Sequence, residues 1–110
     1  MTTNISLEAN LKAAQSAVQE MIKWWGQWKA AHNLDEQTEC IAAYAAAYIS
    51  CKIYIENYLK HLYPIEKKMP TKVAQDVRSI VDDMDVIENV SDKLLRKALK
   101  DIEQLSRDAA

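Results

Sequence analysis

An all-α fold is predicted, and three features of the 110-residue sequence carry that prediction. The chain has one glycine, two prolines and no phenylalanine, whereas a domain of many short strands needs glycine for its tight turns. Apolar residues recur at alternating intervals of three and four along nearly the whole chain, the spacing that lines one face of a helix. The connections between these periodic stretches are short, which sets consecutive helices side by side in opposite directions. The expected architecture is therefore an antiparallel four-helix up-down bundle, a long hairpin of helices 1 and 2 packed by a shorter hairpin of helices 3 and 4. Its length suits one domain spanning residues 1–110. An apolar content of 49% with 27% charged residues places it among globular rather than disordered sequences.

The first helix is expected at 7–32. Ser6 is of N-cap type, Glu8 stands in the first turn, and Leu7, Leu11, Ala14, Val18, Met21, Trp25 and Trp28 form one stripe. Asn33 reads as its stop. Gly26 interrupts the pattern at about 1 kcal/mol relative to alanine and is a candidate bend. The second helix is expected at 36–63, capped by Asp35, with a stripe of Ile41, Tyr44, Tyr48, Cys51, Ile55, Leu59 and Leu62. Alanines and isoleucines widen that stripe until the first half is apolar almost all round, the composition of a helix touching neighbours on several sides. Pro64 and Pro70 bracket a short charged linker. The third helix, expected at 71–88, uses Val73, Val77, Ile80, Met84 and Ile87. Asn89-Val90-Ser91 reads as a break, Ser91 as an N-cap and Val90 as a staple onto Leu95. The fourth helix, expected at 92–107, uses Leu95, Ala98, Leu99, Ile102 and Leu105, and frays at Asp108-Ala109-Ala110.

These lengths are unequal. At 1.5 Å per residue the first two helices are each about 40 Å long and the last two roughly 25 to 28 Å, so about 12 Å of the first hairpin is expected to stand beyond the rest. That tip carries Trp25, Trp28, Ile41 and Tyr44. Trp24 sits about 100° around the helix from Trp25 and shares a shallower face with Ala13, Ala17 and Ala31. Tryptophan and tyrosine are favoured anchors of protein–protein contacts, so Trp24 and Trp28 are the first candidate partner-binding residues.

Several function classes are disfavoured. With one glycine there is no phosphate-cradling loop. A net charge of −2 gives no reason to expect nucleic acid or membrane binding, and the longest apolar run, Cys40 to Ile49, is half a bilayer crossing. No basic and apolar leader precedes the first helix. Cys40 and Cys51 lie three helical turns apart, about 16 Å along the axis, too far to bridge. Together these place the chain in the cytoplasm with reduced cysteines. His32 and His61 fall at opposite ends of the first hairpin and suggest no metal, and no cofactor is expected. Neither Cys40 nor Cys51 has a histidine one helical turn away, and no glycine elbow presents a serine, so no enzymatic activity is expected.

Charge is segregated. Asp82, Asp83, Asp85 and Glu88, followed by Asp92, form an acidic run with no base among them, the second candidate partner surface, able to steer a basic partner. Lys93, Arg96, Lys97, Lys100 and Arg107 share the outer face of helix 4, bordered by acids and without an aromatic for base stacking, and read as a solvated face. Trp24-Trp25-Gly26 resembles the Trp-x-Gly triplet of the small helical-hairpin proteins of specialised secretion pathways. In that family the triplet lies in the turn between two helices and is accompanied by a C-terminal tyrosine motif. Here it falls inside helix 1, the last tyrosine is Tyr63 and two more helices follow, so no family is assigned.

The expected function is a non-enzymatic protein-binding module that occludes a surface of a protein partner, as a small inhibitor, immunity-type protein, adaptor or phage antagonist does. The alternatives are a structural homodimer or oligomer subunit joined by its helical faces, the alanine-rich face of helix 2 or the hairpin tips, and a small-ligand-binding bundle.

Overall fold

A computed structural model describes residues 3–62 and 72–109, with side chains for 8–60 and 72–107. Leu11, Ala14, Val18 and Met21 all face inward and are buried, the outcome the three-and-four spacing requires of a helix. They belong to α1 (Thr3–Ala30), which is followed by α2 (Leu34–Leu62), α3 (Lys72–Asp83), a 3-10 turn (Ile87–Asn89) and α4 (Asp92–Ala109). No strand occurs among the described residues. α1 packs most extensively along α2 and also against α4; α3 packs against α4, while α3 and the 3-10 turn touch α2 more lightly. The result is an elongated molecule of 48 × 26 × 21 Å.

One apolar cluster joins these elements. Its largest fully buried side chains include Met21 of α1, Tyr44 and Ile55 of α2, Met84 after α3, and Leu95 and Ile102 of α4. Each such side chain contributes roughly 1.5–3 kcal/mol by leaving water. On α2 the inward face is Cys40, Tyr44, Cys51, Ile55, Tyr58 and Leu59. Ile41, expected in that stripe, is exposed; Cys40, one position earlier and 100° around the helix, takes the inward place.

Two of the four helices begin elsewhere than expected, and the caps explain one of them. α2 starts at Leu34 because Asn33, not Asp35, is its cap: the Asn33 side-chain oxygen accepts from the Glu36 amide at 2.9 Å. The Glu36 carboxylate reaches back to accept from the His32 amide at 3.1 Å, so the turn between α1 and α2 is closed from both sides, in the manner of a capping box. α1 begins at Thr3, which places Ser6 within the helix instead of at its cap. Ser91 caps α4 as expected, accepting from the Leu94 amide at 3.1 Å, with Val90 and Leu95 both buried beside it.

The third helix is shorter than the expected 71–88, ending at Asp83. Val81, Met84, Ile87 and Val90 are buried, a period of three. On an α-helix that spacing drifts about 60° at each step, so three steps would carry Val90 to the opposite side. Three residues per turn is the 3-10 period, and the backbone follows it: the Met84 amide donates to the Val81 carbonyl at 3.2 Å and the Asn89 amide to the Val86 carbonyl at 3.0 Å. The acids Asp82, Asp83 and Asp85 add to the break, since they crowd the negative end of the helix dipole with no base in its last turn.

α1 runs unbroken through Gly26, which has ordinary helical backbone and is exposed. An added Cβ there meets no atom within 4 Å. Gly26→Ala is accordingly expected to stabilise the protein by roughly 0.5–1 kcal/mol, seen as a higher midpoint in urea at unchanged slope. The expected linker around Pro64 and Pro70, the side chains of Leu7, His61, Leu62 and Asp108, and Ala110 lie outside the described residues.

Candidate functional site

The three tryptophans stand near the C-terminal end of α1, each half-buried and packed against the core cluster. Trp24 Nε1 donates to a Glu20 carboxylate oxygen at 3.2 Å, and the Lys23 ammonium lies 5.0 Å from the centroid of the Trp24 ring. Lys29 lies 5.6 Å from the Trp25 ring, close enough for a cation–π attraction of about 0.5–1 kcal/mol at such exposed sites. Trp25 Nε1 is out of reach of solvent and has no acceptor among the described residues. Trp24 edges a groove of about 340 Å³ with Gln27, Ala31, Glu36, Glu39 and Cys40; Trp28 does not line it.

The tip of the first hairpin does not stand clear of the molecule as the helix lengths imply. Tyr44, expected there, is 1% exposed, and its hydroxyl donates to the Met84 carbonyl at 2.6 Å. The contact comes from the break after α3, where the backbone leaves the α-helix: Val86 and Val90 are extended on either side of the 3-10 turn, and that turn touches α2. Burial holds the Tyr44 hydroxyl well above its ordinary pKa, with Tyr48 and Asp85 adding to the effect, so it remains a donor.

The candidate acids Asp82, Asp83, Asp85 and Glu88 are all exposed, and Asp82 and Asp85 both help to raise the Tyr48 hydroxyl, so these two stand near the same side chain. Asp82 lines an α2–α3 groove of about 350 Å³ with Lys52, Lys60 and Arg78 over a floor of Ile55, Leu59 and Val81. Asp83 lines an α3–α4 groove with Lys72 and Lys97. Asp82 and Asp83 thus share grooves with bases, some of them from α2 or α4, which the local sequence does not show, and with the further acids Glu56 and Asp76. On α4 the basic face is partly neutralised by its borders: Arg96 pairs with Asp92 at 2.8 Å and Lys97 with Asp101 at 2.7 Å. Both pairs are largely in solvent, where water and salt screen them, so neither adds much to stability.

Cys40 and Cys51 are free and buried. Burial pushes the Cys51 thiol from 9.0 up to about 12. Above about pH 9 the unfolded chain gives up a proton that the folded chain keeps, so stability is intact below that pH and falls as the pH rises toward 12, by up to about 1.4 kcal/mol per unit. Urea midpoints at about pH 8 and about pH 10.5 are expected to show this decline, and Cys51→Ala to make it shallower, the remainder coming from the raised Tyr44 and Tyr48 hydroxyls. Among the described residues no group of three or more histidines, cysteines and acids is placed to hold a metal ion, and no helix is long and apolar enough to cross a membrane.

Five large apolar side chains are exposed among the described residues: Leu34 (75%) at the start of α2, Val86 (40%) before the 3-10 turn, and Ile41, Ile49 and Ile53 of α2 (39%, 55% and 50%). Ile49 and Ile53 share the outward face of α2 with the exposed Ala42 and Ala46, whereas Ile41 lies about 80° or more around the helix from them. At 100° per residue, Ala42, Ala46, Ile49 and Ile53 fall within about 60° of one another, opposite Cys40, Tyr44 and Cys51. α2 is thus buried on one side and apolar on both, where the sequence implied burial on several sides. The chain matches no known protein family, no curated protein and no solved structure.

Proposed function

We propose that this chain is a non-enzymatic protein-binding module of the cytoplasm, acting by covering a surface of a protein partner, with the outward face of α2 as its contact surface. The observation that carries the reading is the face of exposed Ile49 and Ile53 with the exposed Ala42 and Ala46 beside them. Isolated exposed apolar residues are ordinary, but several on one helix face are the usual mark of a contact surface. Such a module resembles inhibitors and adaptors in needing shape rather than reacting groups. The reading takes the four helices as an antiparallel up-down bundle. The pairs α1–α2, α2–α3, α3–α4 and α1–α4 that pack together support this, since such a ring leaves every helix one outward face. Trp24 at its groove and the exposed acids Asp82, Asp83, Asp85 and Glu88 are the further contact candidates.

A photo-crosslinking residue at Ile49, with a control at Lys100 on α4, tests the siting. The expected result is a discrete adduct from position 49 alone, lost when Ile53→Glu is added. Equal adducts from both positions, or an adduct from 100 alone, overturn it.

A further inference from the structure

We propose that the occupant of the α2 face is a second copy of this chain, paired through an antiparallel, two-fold symmetric contact of α2 with α2. The proposal rests on the reading of that face as a contact surface and adds the partner. Two features of the face point to itself. The first is size. With the midpoint of the pairing between Ala47 and Tyr48, Ile49 of one copy lies over Ala46 of the second, and Ile53 over Ala42. Each large side chain meets a small one, twice over by symmetry, which is what interdigitation across a helix pair requires.

The second feature is charge. The same register sets the exposed Asp35 at the start of α2 beside the exposed Lys60 near its end on the second copy. A parallel pairing would instead lay Asp35 against Asp35, Lys60 against Lys60 and isoleucine against isoleucine. Antiparallel packing also brings opposite ends of the two helix dipoles together. The face therefore carries both halves of a complementary pattern.

From Asp35 to Lys60 the contact runs about 38 Å, and at a helix width of roughly 10 Å it covers on the order of 400 Å² on each copy. That is below the standard size of tight complexes, so the dimer is a weak one.

Sedimentation of the whole chain from about 1 µM to about 500 µM tests this. The weight-average mass is expected to rise from 12.6 kDa toward twice that value. Ile49→Glu, at a solvent-facing site, is expected to weaken association at least about tenfold while leaving the helical circular dichroism unchanged. Asp35→Lys and Lys60→Asp are each expected to weaken it severalfold, and the double exchange to restore it. A monomer at every concentration overturns the proposal. So does association that survives Ile49→Glu, and association indifferent to the charge exchange overturns the antiparallel register. The contact-surface reading fails separately: if the chain is monomeric but an Ile49 crosslink to another protein persists and is lost with Ile53→Glu, that reading stands and the second copy is wrong.

Discussion

Truncating Tyr44 to alanine is expected to destabilise the protein by about 3–5 kcal/mol, the largest loss from any single side chain on α2. Two effects combine. The ring is 1% exposed among the core residues, so its removal opens a cavity that the surrounding helices fill only in part. Its hydroxyl is also the partner of the Met84 carbonyl at 2.6 Å. That carbonyl lies just past the end of α3, where the last turn leaves acceptors with no amide to pair with. Tyr44→Phe separates the effects: the ring stays, the carbonyl loses its donor, and the loss is expected to be about 1–3 kcal/mol. Urea melts of the two variants give both numbers, and equal slopes show that the unfolded state is unchanged. A Tyr44→Phe protein as stable as the parent would mean that the hydroxyl does not hold the α3 break in place.

That break is also where sequence and structure part. Most of the inward faces of α1 and α4 was legible, because Leu11 through Met21 and Leu95 through Leu105 are amphipathic helices whose polar side is solvated; the exceptions are Ala17, expected on the shallower face with Trp24 but buried, and Leu99, expected inward but half-buried. The Ser91 cap and the Val90 staple were legible for the same reason, being local chemistry within five residues. The end of α3 was not. Met84 and Ile87 fit a continued α-helical stripe and a 3-10 period equally well until Val90 is known to be buried with them. Nor does any local signal tie Tyr44 to a carbonyl forty residues later in the chain. The candidate site divided in the same way. An alanine- and isoleucine-rich helix has no polar side to announce which face meets solvent, so α2 read as buried all round. Its outward face emerges only once α1, α3 and their contacts account for the inward one. Trp24, Trp25 and Trp28 show the converse: as large aromatics they stand out in the sequence, and all three pack against the core cluster.

Ile102→Ala and Ile49→Ala remove the same atoms from the same residue type in helices, yet their effects are expected to differ several-fold. Ile102 is fully buried in α4 within the single core cluster, so its truncation costs the lost transfer from water plus the cavity, about 2–5 kcal/mol. For a domain of this length that lowers the melting temperature by roughly 4 °C or more per kcal/mol. Ile49 is 55% exposed and most of its surface is already in water, so a change within about 0.5 kcal/mol is expected. Alanine is also the better helix former, which offsets part of what little packing is lost. The contrast bears on function because the fold itself gains little from isoleucine at this position. If Ile49→Ala melts with the parent while weakening self-association, its side chain serves a contact made outside the monomer. If instead it destabilises the monomer as much as Ile102→Ala does, then Ile49 is part of the core and the outward face of α2 is not a binding surface.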